Sequence, residues 1–570
     1  MKIESIKIHN YKVFKDVEVK DISNMAVFLG KNGVGKTTFF DVFGFLHDCL
    51  NSNVRSALAK RGGFKEVVSR EQKGNIEFTI KFRASEEEPL ITYEISIGLD
   101  EHARAVVKKE VLRFRRGQKG SPWKVLDFSC GEGIAAEGKL NSYEDVNLAK
   151  RRKQKLDSPD ILAIKGLGQF KEFEAVSTFR RLIEDWYVAD FRIDAARERQ
   201  EAEYGEQLSR TGDNLSVVTK YLYDNHPDIF NKIIENMKLR VPGVEKVEAQ
   251  ETQDGYIVLR FQDGKFQNPF SAKYVSDGTI KMFTYLVLLN DPLQHALLCI
   301  EEPENQLYPE LLGGLAEEFR NYANAGGQVF VSTHSPDFLN AVELEEIYYL
   351  QKKDGFTTIK KASDNPIARK LCEAGDLPGA LWKQGLLVDR MKLVFLLEEE
   401  SMKHFLDGIL PKILPPDVGF ITVPHEGKSD LQKSVPIKLR AWKEPGVKFV
   451  IVQDQDTGDC RELKRKLVEL CGDTTQEVLI RIACHELEAW YFGDLEAVSK
   501  AYGKNITVLA KKKQYRVPDD IISPKRELKK YLPEHQQISG AKRIAQYIDI
   551  NRNTSESFQA LVSGVRKLIS

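Results

Sequence analysis

Apolar and polar residues alternate from the first positions of the chain. Ile3, Ile6 and Ile8, then Val13, Val17 and Val19, predict short strands leading into MAVFLG, a buried strand that ends at Gly30. After a glycine-rich turn the period changes, and TTFFDVFGFLHDCL predicts a helix. Between residues 75 and 116, NIEFTIKF, LITYEISIGL and AVVKKEVLRFRR read as β-hairpins. From about 140 to 240 the sequence is charged and helical in pattern, with AKRRKQKL and AARERQEAEYGEQLSR, and reads as an insertion between two halves of one domain. GYIVLRFQ returns to strand, and YVSDGT through FVSTHS supplies helix, buried strand, helix and buried strand. GDLPGALWKQG is rich in glycine and loop formers and marks the expected boundary, giving domains of 1–387 and 388–570. MKLVFLLEEE then opens a new strand and helix alternation that runs to about residue 500, followed by a basic helical tail.

Composition narrows this picture little. A chain of 570 residues exceeds what one core usually serves, in line with two domains. Its 84 basic and 84 acidic residues cancel, so any polyanion site must be a local patch. The seven cysteines (49, 130, 299, 372, 460, 471, 484) form no C-x-x-C pair, which disfavours a zinc ribbon or a disulfide framework. MKIESIKIHNYKVF lacks the apolar core of a signal peptide, and no stretch approaches the roughly 18 apolar residues of a membrane span. The expectation is a cytoplasmic chain with no membrane partner.

Chemistry enters at residues 30–38. GKNGVGKTT fits G-x-x-x-x-G-K-[ST] between a strand and a helix. In such a loop Gly30, Asn32, Gly33 and Gly35 let backbone N–H groups surround phosphates at a helix N-terminus. Lys36 reaches the β and γ phosphates, Thr37 holds magnesium, and Thr38 joins them in binding the nucleotide. Downstream, LLCIEEPENQLYP is a short apolar strand ending in Glu301 and Glu302, where one carboxylate can serve the magnesium shell and its neighbour can polarise water. His334 stands just past the next apolar strand, in FVSTHS. With YVSDGT, these residues resemble the ATPase heads of the ATP-binding-cassette and chromosome-maintenance group, and more closely the compact ATPases of the overcoming-lysogenization-defect (OLD) nucleases. The resemblance covers roughly residues 1 to 387. It implies that Ser276, Asp277 and Gly278 contact the γ-phosphate held by a second subunit, that Glu302 is the catalytic base and that His334 senses the γ-phosphate, hence at least a homodimer. Glu301 stands where that family usually has Asp. Gln72, in SREQKGN, is a candidate for the glutamine loop.

A second constellation lies near the end of KFVIVQDQDTGDC. Residues i and i+2 of a strand face one way, which would place Asp454 and Asp456 together if the strand persists. LVFLLEEE ends at Glu398, and a parallel sheet would bring both strand ends to one edge, where a hard cation such as Mg2+ or Mn2+ is served by carboxylates. An acid after a first strand and D-x-D after a later one resembles the TOPRIM fold of topoisomerases, primases and OLD nucleases; VPHEGKSDLQKS, QDQDTGDC and RIACHELEAWYFGD resemble a TOPRIM-like bacterial family found beside such ATPases. Glu399 occupies the usual glycine position, which leaves Glu400 as a substitute for Glu398. Glu486 and Glu488, with Trp490 and Tyr491, and Lys428 and Lys433 are further candidates; the alternatives are solvated acids, core aromatics and a solvated loop.

The expected fold is therefore α/β: an ATP-binding-cassette P-loop head with a helical insertion, then a TOPRIM-like domain with a parallel sheet. Nucleic acid, DNA or RNA, would arrive at the basic tail, where Lys and Arg interleave with Tyr515 and Tyr531, or at Lys150–Lys155. The resemblance implies ATP-gated, metal-dependent cleavage in anti-phage defence, alongside a homo-oligomer and an accessory protein. The rivals are an ATP-dependent DNA repair or clamp protein and a sensor whose C-terminal domain only holds a partner.

Overall fold

The computed structural model describes residues 2–83, 90–114, 123–137, 151–353, 355–387, 393–415, 418–442, 447–472, 474 and 476–569. The chain forms two compact units, Met1–Ala362 and Ser363–Ser570. The division thus falls ahead of the expected 387/388 boundary, because helices Pro366–Glu373 and Pro378–Gln384 pack within the second unit.

Among the described residues, the first unit holds an eight-stranded antiparallel sheet, a six-stranded sheet and a small four-stranded one. The six-stranded sheet positions the chemistry. Its strands are Met25–Leu29 (β1), Trp186–Ala189 (β2), Leu297–Glu301 (β3), Val329–Thr333 (β4), Ile347–Lys353 (β5) and Phe356–Lys361 (β6), in the order β2-β3-β4-β1-β5-β6. All neighbours are parallel except the β5–β6 hairpin. β1, β3 and β4 are apolar almost throughout because both faces are covered. The phenylalanines of helix Lys36–Asn51 (α1) do much of that covering: Phe39 and Phe43 pack on Phe330, and Phe39 and Phe40 on Phe28. Each such ring contributes about 1.5–3 kcal/mol by burial. The second helix of importance, Asp277–Leu289 (α2), starts at the N-cap Ser276.

The segment expected to be helical over about 140–240 carries helices at 163–167, 174–184, 193–196, 215–225 and 227–240. It also supplies β2 to the central sheet and an edge strand, Arg151–Lys155, to the antiparallel one. Lys150 lies outside the described residues.

In the second unit, Leu393–Leu397 (β7), Phe420–Pro424 (β8), Lys448–Asp454 (β9) and Val478–Ala483 (β10) form a four-stranded, fully parallel sheet in the order β8-β7-β9-β10. Helices Glu400–Ile413 (α3), Lys428–Ala441 (α4), Cys460–Cys471 (α5), Glu488–Phe492 (α6) and Pro524–Tyr531 (α7) lie among and after these strands. No helix among the described residues is long and apolar enough to cross a membrane.

One buried acid organises the first unit. Glu110, on strand Ala105–Phe114, is 1% exposed and accepts the backbone N–H groups of Ala163 (2.5 Å) and Ile164 (3.0 Å) and the hydroxyl of Tyr93 (3.1 Å). Burial pushes its carboxyl up to about 7 against the pull of these donors. A carboxyl raised on folding stabilises fully below its ordinary pKa, and that contribution is lost as the pH rises through about 7. Glu110→Ala, which orphans the helix N–H groups, should cost about 1–3 kcal/mol. Urea unfolding between pH 5 and 8 should lose more stability in wild type than in Glu110→Gln.

Candidate functional site

The register of three parallel strands builds the first site. Leu29 pairs with Thr333, and Ser332 with both Phe28 and Glu301, so Gly30, Glu302 and His334 emerge at one edge, where open parallel sheets hold ligands. The loop after β1 is tightly seated. A Cβ on Gly30 would come within 2.5 Å of Val34, and Gly35 takes φ 103° to cap α1. The sixteen-residue α1 then aims its N-terminus at this edge, a ready anion site.

Lys36, 6% exposed, donates from Nζ to the Gly30 carbonyl at 2.8 Å and lies 3.6 Å from Glu302 Oε1. Thr37 Oγ1 donates to Glu301 Oε2 at 2.7 Å. That adjacency of a hydroxyl and a carboxylate suits a magnesium ion bound with nucleotide phosphates. Burial raises the Glu301 carboxyl; the Thr37 hydroxyl pulls it down, and the charges of Asp190, Glu302 and Asp41 push it further up. Asp190 is one residue beyond β2, beside Glu301, and sequence reading missed it because an acid after WYVA carries no motif.

Glu302 takes φ 43°, and its N–H donates to Ser332 O at 2.8 Å. Its Oε1 is 3.4 Å from His334 Nδ1, and its Oε2 accepts Asn305 Nδ2 at 3.2 Å. Glu304 accepts the Thr333 hydroxyl (2.7 Å) and the His334 N–H (3.0 Å), which fixes the histidine beside Glu302. Ser276 accepts the Thr279 N–H, Asp277 pairs with Arg197, and Gly278 lies against the carbonyl of Gln306. Gln72 sits in a turn, its N–H on Ser69 O at 3.1 Å.

The second site lies at the ends of β7 and β9. Leu397 pairs with Val452, and the Asp454 N–H donates to Glu398 Oε2 at 3.1 Å, so these two acids meet. Asp454 is 9% exposed and its Oδ1 is buried without a hydrogen-bond partner. Burial raises its carboxyl well above the usual range, and the charges of Glu398, Glu488, Glu399 and Asp456 add to the effect. Glu398 is pushed up to about 7 by burial, despite the Asp454 N–H, with Asp456 next in raising it. Glu488, 3% exposed, is likewise pushed up to about 7 by burial, with the charge of Glu486 adding to it.

Asp456 departs from the expected placement. β9 ends at Asp454, and Asp456 takes φ 54° with its N–H on His485 O (2.8 Å), so the i, i+2 rule of an extended strand does not carry it to the face of Asp454. Its Oδ2 lies 3.4 Å from Lys428 Nζ. Later in the same loop, Asp459 caps α5 by accepting the N–H groups of Arg461 and Glu462. Glu399 accepts the Ser401 hydroxyl, and Glu400 is exposed and lies 3.4 Å from His404. Glu486 accepts the Lys525 N–H at 2.9 Å, which brings the start of α7 to this site. Trp490 and Tyr491 are core. So is Tyr515, 3% exposed and stacked on Phe492, which leaves it no free face for a base; Tyr531 packs at the core margin.

Among the described residues, no three His, Cys, Asp or Glu side chains are gathered to hold one metal ion as they stand. The donor chemistry still suits a hard cation: hard oxygens, one of them buried and unpartnered, crowded by like charge. Ligation by Asp456 requires its side chain to turn from Lys428.

The first site is a P-loop nucleotide site on a parallel sheet. A family profile described as "AAA domain, putative AbiEii toxin, Type IV TA system" matches residues 25–340, more than half of the chain, and the chain belongs to this family of ATPase domains. A second profile, "Domain of unknown function (DUF4276)", matches residues 397–566. None of the curated proteins compared matches the chain. Similar solved structures include the SmcHead bound to the C-winged helix domain of ScpA, at 11% identity over 63% of this chain and 98% of that one, with a TM-score of 0.41. Another is the SMC head domain from Thermotoga maritima, at 13% identity over 63% of this chain and 99% of that one, with a TM-score of 0.33.

The electrostatics of the second site give a test. Asp454 carries a carboxyl raised on folding, so its stabilising contribution is lost as the pH rises. At pH 7.5 without divalent cations, Asp454→Asn should therefore unfold later in urea than wild type, by about 1–3 kcal/mol. Millimolar Mg2+ or Mn2+ should raise the wild-type midpoint and leave the variant's unchanged, read by tryptophan fluorescence.

Proposed function

We propose that the chain is an ATPase whose second unit is a metal-dependent phosphodiester hydrolase acting on nucleic acid. The carrying observation is the buried, unpartnered Asp454 Oδ1 at parallel strand ends beside Glu398 and among further acids. Pairs of groups with perturbed pKa values at such an edge mark functional sites.

In the first unit, the P-loop holds ATP, Thr37 and Glu301 hold magnesium, Glu302 orients and deprotonates the attacking water, and His334 reports the γ-phosphate. Ser276, Asp277 and Gly278 meet the nucleotide of a second copy, so the working form is a homodimer or larger homo-oligomer. In the second unit, Glu398, Asp454 and Asp456 hold Mg2+ or Mn2+, which when bound supplies an activated water and neutralises phosphate charge. Lys428, released from Asp456, meets a substrate phosphate. Residues 511–530, with Lys511, Lys512, Lys513, Arg516, Lys525, Arg526, Lys529 and Lys530, provide a basic approach to that edge. The ATP-binding unit gates cleavage. The toxin named in the family description supports a self-damaging role, and the resemblance to the OLD nucleases extends the proposal to bacterial defence against phage.

A second reading, a sensor ATPase whose second unit only binds a partner, draws on the lack of a preassembled ligand set among the described residues.

Cleavage of supercoiled DNA and total RNA by the purified chain, with Mg2+ or Mn2+ and with or without ATP, separates the two. Wild type should cut one substrate. Asp454→Ala should lose cleavage by at least about a hundredfold while keeping ATP hydrolysis, and Lys36→Ala should lose hydrolysis. ATP hydrolysis with no cleavage under any condition favours the sensor.

A further inference from the structure

Lys281 is a buried ammonium on an otherwise apolar stretch of α2. It is 6% exposed, and its neighbours Ile280, Met282 and Phe283 are in the core. Lysine is rarely buried without a specific partner. Here Nζ donates to the Asn305 carbonyl at 2.5 Å, and the same residue's Nδ2 donates to Glu302 Oε2 at 3.2 Å. Glu304, between them in sequence, holds Thr333 and His334 through Oε1, while its Oε2 is buried without a hydrogen-bond partner. Burial pushes the Lys281 ammonium down to about 8, against the charges of Glu304 and Glu302.

The start of α2 presses on the same loop. A Cβ on Gly278 would come 3.1 Å from the Gln306 carbonyl, and Gln306, like Glu302, has positive φ, at 65° and 43°. Non-glycine residues in that region are uncommon and need support from their surroundings. The loop 302–306 therefore has one side fixed to α2 and presents Glu302 on the other.

We propose that Lys281 is a positioning residue that sets the carboxylate of Glu302 from α2 through Asn305, so that engagement of Ser276 by the nucleotide of a second copy reaches Glu302 of the same chain. This rests on the ATPase reading and its dimer. The path is short and physical: a displacement of α2 moves the donor to Asn305 O, and the Asn305 side chain carries it to Glu302.

ATP hydrolysis by the full chain with magnesium tests this in wild type, Lys281→Met, Lys281→Arg, Asn305→Ala and the Lys281→Met/Asn305→Ala double variant, alongside binding of a fluorescent ATP analogue. Lys281→Met should keep analogue binding within about twofold and lower kcat about tenfold or more, a split that a change in nucleotide affinity alone would not give. Lys281→Arg, which keeps a donor, should recover part of kcat. The double variant should be no slower than the slower single variant, because both act on one path. Unchanged kcat in Lys281→Met overturns the proposal, as do losses that multiply in the double variant or analogue binding that falls with kcat. A wild type that binds the analogue and hydrolyses no ATP overturns the ATPase reading beneath it.

Discussion

Carboxylates gathered at the ends of buried parallel strands cannot all ionise without a counter-charge. The constraint follows from the sheets themselves: parallel strands point one way, so acids placed after them share an edge, and apolar cover on both faces lowers the local dielectric. In the first unit Lys36, 3.6 Å from Glu302, and the buried Lys281 supply counter-charge, and Glu301 leans on the Thr37 hydroxyl. In the second, the Lys428 ammonium faces Asp456, and the Asp454 Oδ1 is buried without a hydrogen-bond partner. The two edges are chemically alike, and the proposed function completes each with a ligand that brings positive charge.

Local geometry tunes each edge. Positive φ at Glu302 turns its carboxylate toward Lys36 and His334, and positive φ at Asp456 turns it away from the strand direction. Such residues persist because their N–H groups are held, by Ser332 and by His485 respectively. Strain at the strand end is thus part of how the acids are aimed.

The nucleotide loop was legible because its chemistry is local: glycines, a lysine and a hydroxyl in nine consecutive residues between a strand and a helix. The meeting of Glu398 with Asp454 was legible too, since apolar runs imply buried parallel strands and their ends carry the acids. Asp456 was misplaced because a strand ends where its hydrogen bonds end, and periodicity does not report a left-handed residue two positions on. Tyr515 looked like a stacking residue only because composition does not show burial. Lys281 and Asp190 gave no signal, since each meets its neighbour, Asn305 or Glu301, from another segment of the chain. The early boundary arises likewise, from helices whose partners lie later in sequence.

Manganese binding, followed by electron paramagnetic resonance on the nucleotide-free and ATP-bound chain, tests the shared constraint most directly. Manganese bound without nucleotide should disappear in Asp454→Asn and persist in Lys36→Ala, and further binding with ATP should disappear in Lys36→Ala. Absence of nucleotide-independent binding in wild type, or its persistence in Asp454→Asn, would contradict that constraint.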